Sequence, residues 1–142
     1  MTADAATHPF ALALPIAKAD TALRTVWGWA SVATEDGVPV VDAEGDVVPI
    51  DELVRAAHAF MAQSRRGAAG HADGGDQIPA VGTVVESLVA SRAVQEALGV
   101  DLGREGWFVG IRIDDDDAWR QVLAGELPAL SIGGVARRVA TL

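Results

Sequence analysis

Two segments with apolar residues on both faces limit what this chain can fold into. Residues 25–32 place Val, Gly, Ala and Val in alternation with Trp, Trp and Ser, and residues 107–113 place Trp, Val, Ile and Ile in alternation with Phe, Gly and Arg. Because successive side chains of a strand point to opposite faces, both segments are predicted to be strands that are buried on much of both sides. Strands of this kind belong inside a sheet.

Three helices are predicted around these strands from capping residues and apolar stripes. An acidic turn around Gly45 precedes the first helix, and its apolar residues recur at helical spacing. The predicted helix starts are Asp51, Ser91 and Asp114, and the predicted ends are Ser64, Gly99 and Gly125.

Further strands are predicted over residues 67–73, 80–89 and 129–139, the first of them opening into a turn rich in Gly, Asp and Pro. The elements show no regular strand-helix-strand repeat, so the fold class predicted is α+β, with a small, mostly antiparallel and closed β-sheet and flanking helices. Residues 1–11 lack periodicity and are predicted to form a flexible arm or a first edge strand. Residues 12–142 are predicted to form a single domain.

Composition excludes several classes of protein. Half of the residues are apolar, yet no apolar run reaches the roughly 18 residues of a membrane span, and no basic segment precedes the apolar stretch near the N-terminus. We therefore expect a soluble protein without an export signal. The chain has no cysteine, which removes disulfides and thiolate metal sites, and its net charge of −9 disfavours binding to nucleic acid.

The three histidines differ in their surroundings. His8 lies in the predicted arm, and His58 lies at the rim of the apolar stripe of the first helix, where a structural role is the simpler interpretation. His71 sits where a predicted strand opens into a Gly-Asp turn, and a ring at such a position is accessible to substrate. His71 is therefore the candidate general base, although a structural turn residue remains the alternative.

Ser131 lies in the segment Leu-Pro-Ala-Leu-Ser-Ile-Gly-Gly, where alternation turns its side chain away from its apolar neighbours. The following Gly133 and Gly134 allow close approach of a substrate backbone and a bend that aims amide groups at an oxyanion. A strand serine beside a bulge is the other interpretation. Only 11 residues follow Ser131, which excludes an α/β-hydrolase.

The acidic residues are mostly explained by structure. Residues 114–117 are four aspartates in the first turn of a predicted helix, where negative charge is favoured, and we interpret them as capping. Residues 42–46 and 73–76 do not match a calcium loop. We predict no metal and no cofactor. Glu86 shares a predicted strand face with Val84 and Leu88, where it either orients a histidine or lies on an edge facing water.

Taken in order, short motifs along residues 26–138 resemble the XkdF-like phage serine proteases, relatives of the prohead proteases and the herpesvirus assemblins. The motifs are Val-Trp-Gly-Trp at 26–29, Asp-Ala-Glu-Gly-Asp at 42–46, Gly-His-Ala-Asp at 70–73, Val-Val-Glu-Ser at 84–87, Gly-Trp at 106–107, Asp-Ala-Trp at 117–119, Gly-Glu at 125–126 and Ser-Ile-Gly-Gly at 131–134. The resemblance places the family's histidine at His71 and its nucleophile at Ser131.

The resemblance implies a small β-barrel wrapped by helices, with the strands of His71 and Ser131 adjacent. It implies a prohead serine endopeptidase that cuts segments of the phage scaffold and major capsid protein, in the cytoplasm of the infected bacterium and within the assembling procapsid. A homodimer is expected by analogy with the assemblins. Assemblins have a second histidine after the serine, but no histidine follows Ser131 here. Glu86 is the preferred replacement, followed by Asp73 and His58.

Two points stay open on the sequence alone. Arg137 shares a predicted strand face with Ser131, but six residues at about 3.3 Å each place it about 20 Å away, so an oxyanion role requires a sharp bend. The competing function is a catalytically inactive head-assembly or scaffold-binding module with the same fold. The protease requires His71 and Ser131 within hydrogen-bond distance beside an open cleft, and the structural module does not.

Overall fold

The computed structural model describes residues 7–42, 45–67 and 82–137, with side chains for 14–42, 45–63 and 82–130. Its seven strands and three helices follow the chain in the order β1 Thr7–Pro15, β2 Lys18–Asp20, β3 Thr25–Glu35, β4 Val38–Pro39, α1 Ile50–Gly67, β5 Gly82–Ala90, α2 Arg92–Leu98, β6 Arg104–Ile113, α3 Asp116–Leu123 and β7 Ala129–Arg137.

The strands pair antiparallel throughout the described part of the chain. One sheet has the order β2-β3-β6-β5, with β4 added to the end of β3, and β1 pairs with β7 in a separate ribbon. The two strands predicted to be buried, β3 and β6, lie side by side inside the sheet. The α+β class with a mostly antiparallel sheet is therefore confirmed.

The ribbon continues into the sheet at a corner between β1 and β2. The amide of Ile16 donates to the carbonyl of Pro128 at 3.1 Å, and the next amide, of Ala17, donates to the carbonyl of Trp27 at 2.8 Å. Residues 7–11 belong to β1. Within the described residues the strands form these two sheets and no closed barrel, so barrel closure stays a prediction.

The core lies between one face of the larger sheet, the helices and the ribbon. Side chains that are at most 7% exposed come from every one of these parts, among them Leu14, Val26, Leu53, Val109, Trp119 and Leu130. Phe60 of α1 packs edge-to-face on Trp107 of β6, with ring centroids 5.4 Å apart. This contact places α1 on the core face of the sheet, as its apolar stripe predicted. No described helix is long and apolar enough to cross a membrane.

Helix ends test the capping predictions directly. The hydroxyl of Ser91 accepts from the amide of Val94, and Gly99 ends α2 with a φ of 71°, so both predictions are confirmed. The first helix is longer than predicted, and Gly67, which the sequence pattern assigns to a strand, is its last residue; residues 68–73 lie outside the described part.

The cap of α3 differs from the prediction by one aspartate. Asp115, not Asp114, caps the helix by accepting from the amide of Ala118 at 2.8 Å. The Asp114 carboxylate instead accepts from the hydroxyl of Thr83 at 2.7 Å and from the Arg112 guanidinium at 2.9 Å. Asp114 therefore ties the start of β5 to the end of β6, because a partner on another strand outcompetes the local amide.

Asp114→Asn is expected to weaken the fold at neutral pH more than in acid. The hydrogen bond from Thr83, helped by Arg112, lowers the pKa of Asp114 below its usual value of 3.8. The folded state therefore binds fewer protons than the unfolded state, so the stabilisation is present above about pH 4 and is lost as the pH falls through the folded pKa. Asp114 is solvent-exposed, which limits its contribution to the free energy of unfolding to less than about 1 kcal/mol. Urea unfolding of both proteins from pH 2.5 to 7 measures the difference in their free energies of unfolding. A difference that does not change with pH contradicts the lowered pKa of Asp114.

Candidate functional site

Ser131 lies near the start of β7, directly opposite Ala13 of β1. The neighbouring pair in the ribbon is Leu14 and Leu130, whose side chains are 0% and 5% exposed and belong to the core. The backbone of Ser131 thus follows immediately after a residue anchored in the core. The strand predicted over 129–139 is observed as Ala129–Arg137. Because successive side chains of a strand alternate between its two faces, Ser131 is expected on the face opposite to that of Leu130.

A close backbone contact holds the ribbon against the larger sheet. A Cβ atom on Gly28 of β3 would lie 2.2 Å from the Pro15 carbonyl oxygen and 3.0 Å from a methyl carbon of Leu14. Only glycine permits this approach, so Gly28 sets the distance between β3 and the ribbon that carries Ser131. The sequence predicted Gly28 as part of a buried strand, but the ribbon that crosses it was not predicted.

The register of the ribbon bears on three further residues near Ser131 in the sequence. β7 pairs residue for residue with β1 from Ala129 to Arg137, and Gly133 and Gly134 lie inside this regular register. Arg137 pairs with Thr7, six residues along the strand from Ser131. The rise of a strand therefore places the Cα atoms of Ser131 and Arg137 about 20 Å apart. An oxyanion role for Arg137 requires a sharp bend, and the continuous pairing of β7 shows none.

The histidines are distributed over different parts of the chain. His71 and Asp73 lie outside the described residues, in a segment that begins after α1 and leads into β5 at Gly82. The backbone of His8 pairs with that of Ala136 in the ribbon. His58 is exposed on α1. The proposed pairing of His71 with Ser131 therefore stays a prediction.

Glu86 occupies an exposed position on β5, which pairs with β6 along one edge. A register shift between Val84 and Glu86 makes Val85 an extra residue, so Val84 packs on the core while Glu86 lies on the opposite, outer face of the sheet. The expectation that Glu86 shares a face with Val84 was wrong, because the β-bulge changes the alternation. Its shared face with Leu88, which is 44% exposed, agrees with the register beyond the bulge.

A row of residues across the sheet fixes the Glu86 carboxylate. Lys18 pairs with Trp27, Trp27 pairs with Gly110, and Gly110 pairs with Glu86, so four strands contribute one residue each. The indole Nε1 of Trp27 donates to Oε1 of Glu86 at 3.3 Å, and Nζ of Lys18 lies 5.7 Å from the Trp27 ring centroid. One carboxylate oxygen of Glu86 is thereby hydrogen-bonded, and the Glu86 side chain is directed across the sheet toward Trp27.

Gly110 makes this contact possible. A Cβ atom there would lie 2.7 Å from Nε1 of Trp27 and 3.3 Å from Cβ of Glu86, so the missing side chain leaves the space through which the indole reaches the carboxylate. Sequence reasoning missed the roles of Trp27 and Gly110. The signal was the glycine in the middle of an otherwise bulky strand, which often marks a site of close approach.

The charged groups of the described residues do not converge on a metal site. No group of three or more His, Asp or Glu side chains among them is arranged to hold a metal ion. The aspartates at 114–117 serve instead in the cap and first turn of α3, in the Arg112 and Thr83 contacts, and in an ion pair between Arg24 and Asp116 at 2.8 Å.

The chain is similar to a family of phage proteins and to two proteins of Bacillus subtilis. A protein family described as "Putative phage serine protease XkdF" matches residues 15–140. The phage-like element PBSX protein XkdF of Bacillus subtilis (strain 168) is 33% identical over 106 residues, which cover 74% of this chain and 35% of that protein. The uncharacterized protein YqbD of the same strain is 32% identical over 99 residues, covering 70% of this chain and 29% of that protein.

The chain thus spans about a third of the length of the curated relatives it matches. No solved structure matches it. The family match begins at the last residue of β1 and includes the corner at Ile16, the whole of the larger sheet from Lys18 onward, and β7 with Ser131. On this match and on the identity with the PBSX protein, the chain belongs to the XkdF-like phage protein family.

Proposed function

We propose that this chain is a prohead serine endopeptidase, with Ser131 as the nucleophile, His71 as the general base and Glu86 as the residue that orients the base. Its substrates are segments of the phage scaffold and major capsid protein, cut inside the assembling procapsid in the infected bacterium. The observation that carries the proposal is the family match across residues 15–140, which contains all three residues. A homodimer and a closed β-barrel belong to the same proposal.

The position of Ser131 supports a role as nucleophile. A nucleophile has to be held within a fraction of an ångström of its productive geometry, and strands of the scaffold do this better than loops. Ser131 is in a paired strand, next to the core residue Leu130 and opposite Ala13. Pairing with β1 therefore fixes the backbone on both sides of it, and burial of Leu130 fixes the preceding side chain.

The surroundings of Glu86 support a role in orienting a histidine. An orienting carboxylate must itself be held in place, since it fixes the tautomer and the direction of the imidazole. The Trp27 indole binds Oε1 of Glu86 at 3.3 Å, which leaves Oε2 to accept a proton donor.

The chemistry is acyl transfer. The imidazole of His71 takes the proton from Oγ of Ser131 as the oxygen attacks the peptide carbonyl, and backbone amides hold the oxyanion that forms. The protonated His71 then donates to the leaving amine, and the acyl group stays on Ser131. A water molecule, deprotonated by the same histidine, releases the acid product and restores the serine.

Labelling of Ser131 by a serine-directed phosphonate is expected to rise through about pH 6–7. Only neutral imidazole can accept the serine proton, and histidine ordinarily has a pKa of about 6.5. A carboxylate partner stabilises imidazolium, so Glu86→Gln is expected to lower the midpoint of the profile. Mass spectrometry of the labelled peptide from pH 5 to 8 measures the rate, and circular dichroism checks that the protein stays folded.

The matched control for Glu86→Gln is Glu96→Gln, an exposed carboxylate on α2. It removes the same charge and is expected to leave the midpoint unchanged. Equal shifts in both variants assign the effect to net charge rather than to an orienting contact. A flat profile, or no labelling of the folded protein at any pH, rejects the endopeptidase and favours the inactive assembly module.

A further inference from the structure

The strand β3 is paired along its whole length on one side only. Its partner β6 follows it from Thr25 to Glu35, whereas on the other side β2 reaches residues 25–27 and β4 reaches residues 34–35. One more backbone bond, from the amide of Val40 to the carbonyl of Ala33, extends the β4 side. Among the described residues, no strand pairs with residues 28–32 on that side.

A groove runs along this open edge. It encloses a volume of about 370 Å³ and is lined by residues 29–32 of β3, by the corner at residues 15–17 and by Arg104 of β6. Ala30 is buried and Ile16 is partly buried against the core, so the floor is apolar. A register shift between Trp29 and Ser31 marks the same stretch. Such bulges occur often next to functional sites.

Arg104, the cationic residue in the lining of this groove, retains hydrogen-bond donors that can bind a ligand. The guanidinium of Arg104 lies 5.7 Å from the Trp29 ring centroid and 3.8 Å from the Glu35 carboxylate, which is longer than a hydrogen bond. Its side chain is 40% exposed. An incoming carboxylate can therefore reach hydrogen-bond donors of Arg104, in a protein whose net charge is otherwise strongly negative.

We propose that this groove binds an extended segment of the substrate polypeptide, which adds to β3 as a strand between β2 and β4. Five residues of strand span about 17 Å, and main-chain hydrogen bonds supply affinity while alternate side chains supply specificity. The bound segment places apolar side chains on the floor at Ile16 and Ala30. Its opposite face carries a carboxylate next to Arg104.

The groove is close to the proposed nucleophile along the ribbon. Pro15, at the rim of the groove, pairs with Ala129, which precedes Ser131 by two residues, or about 7 Å of strand. A substrate held at this edge therefore keeps its polypeptide beside β7. The assignment of the occupant as substrate rests on the proposed function, whereas the binding of an extended acidic segment is measurable without it.

The test uses a fluorescein-labelled pentapeptide of alternating valine and glutamate and the full chain carrying Ser131→Ala, so that nothing is cut. Fluorescence anisotropy at about 0.15 M salt, where charges farther apart than about 8 Å are screened, measures binding. We expect saturable binding and slowed amide exchange at residues 29–32. Arg104→Gln is expected to weaken binding by up to roughly fivefold. The control is Arg120→Gln, which removes an exposed arginine of α3 outside the groove and is expected to leave binding unchanged.

One further peptide separates strand addition from charge attraction. Methylation of alternate backbone nitrogens keeps the charges and removes the donors of one edge of the peptide, and it is expected to abolish binding. Equal binding of this peptide overturns the proposal.

The groove and the endopeptidase can fail separately. Absence of peptide binding while Ser131 of the unmodified chain is labelled by the phosphonate rejects this groove and leaves the endopeptidase in place. Binding with protection at residues 29–32 in a chain that is never labelled keeps the groove and rejects the endopeptidase. Protection that depends on protein concentration, without peptide, assigns the edge to a second copy and rejects the proposal.

Discussion

Replacing Ser131 with alanine is expected to reduce cleavage of a co-expressed scaffold or capsid protein by a factor on the order of 10⁴ or more, while the protein stays folded. Removal of the nucleophile from a serine protease leaves only the contribution of binding and of the oxyanion donors. The substitution removes one oxygen at a position of β7 whose backbone hydrogen bonds with β1 are unaffected. Gel analysis of the substrate over time gives the rate, and thermal unfolding gives the stability.

Ser91→Ala is the matched control, because it removes a hydroxyl with a known structural task. The hydroxyl of Ser91 caps α2, so its loss is expected to lower the free energy of unfolding by about 1 kcal/mol without slowing cleavage. The two variants thus separate a loss of chemistry from a loss of stability. Cleavage by folded Ser131→Ala protein at the rate of the unmodified chain shows that another group is the nucleophile or that the cleavage has another source.

Gly28→Ala is expected to destabilise the protein more than Asp114→Asn or Ser91→Ala does. The added Cβ meets the Pro15 carbonyl oxygen at 2.2 Å, and a backbone oxygen cannot rotate away as the end of a flexible side chain can. Relief requires β1 to move off β3, which also disturbs the fully buried Leu14. Overpacking against rigid groups costs about 3 kcal/mol or more, which lowers Tm by about 10 °C or more for a chain of this size.

Gly37→Ala separates this contact from the general effect of replacing a glycine. Gly37 has a φ of 78° and open space where a Cβ would lie, so only the left-handed backbone conformation opposes alanine, at about 1 kcal/mol. Since the ribbon carries Ser131, Gly28→Ala is also expected to slow phosphonate labelling at temperatures where it remains folded. Similar Tm values for the two variants contradict the close contact between the ribbon and the sheet.

The sequence determined the elements whose signals are local. The hydroxyl of Ser91 and the positive φ of Gly99 depend only on residues within the same helix, and both ends of α2 were predicted correctly. The buried strands β3 and β6 were predictable because alternation and an apolar character on both faces leave few other solutions. The order of motifs was sufficient to identify the family, which the comparison confirms.

The surroundings of the candidate site were decided by contacts between distant parts of the chain. The Trp27 indole reaches Glu86 only because Gly110 of a third strand leaves the space, and the extra residue Val85 changes which face Glu86 occupies. Asp114 left its expected helix cap for Thr83, 31 residues away in sequence. A single bulge reverses the alternation of every residue beyond it.

The same reason applies to the ribbon and the groove. Periodicity predicted a strand around Ser131 from its own neighbours, but the crossing of β1 over Gly28 and the edge of β3 left open beside it depend on which strands pair and where each pairing stops. Alternation and capping report the environment of one residue along its own strand or helix. The tertiary structure alone decides which side chains from different strands meet, because that depends on register, and register is set by the packing of the whole sheet.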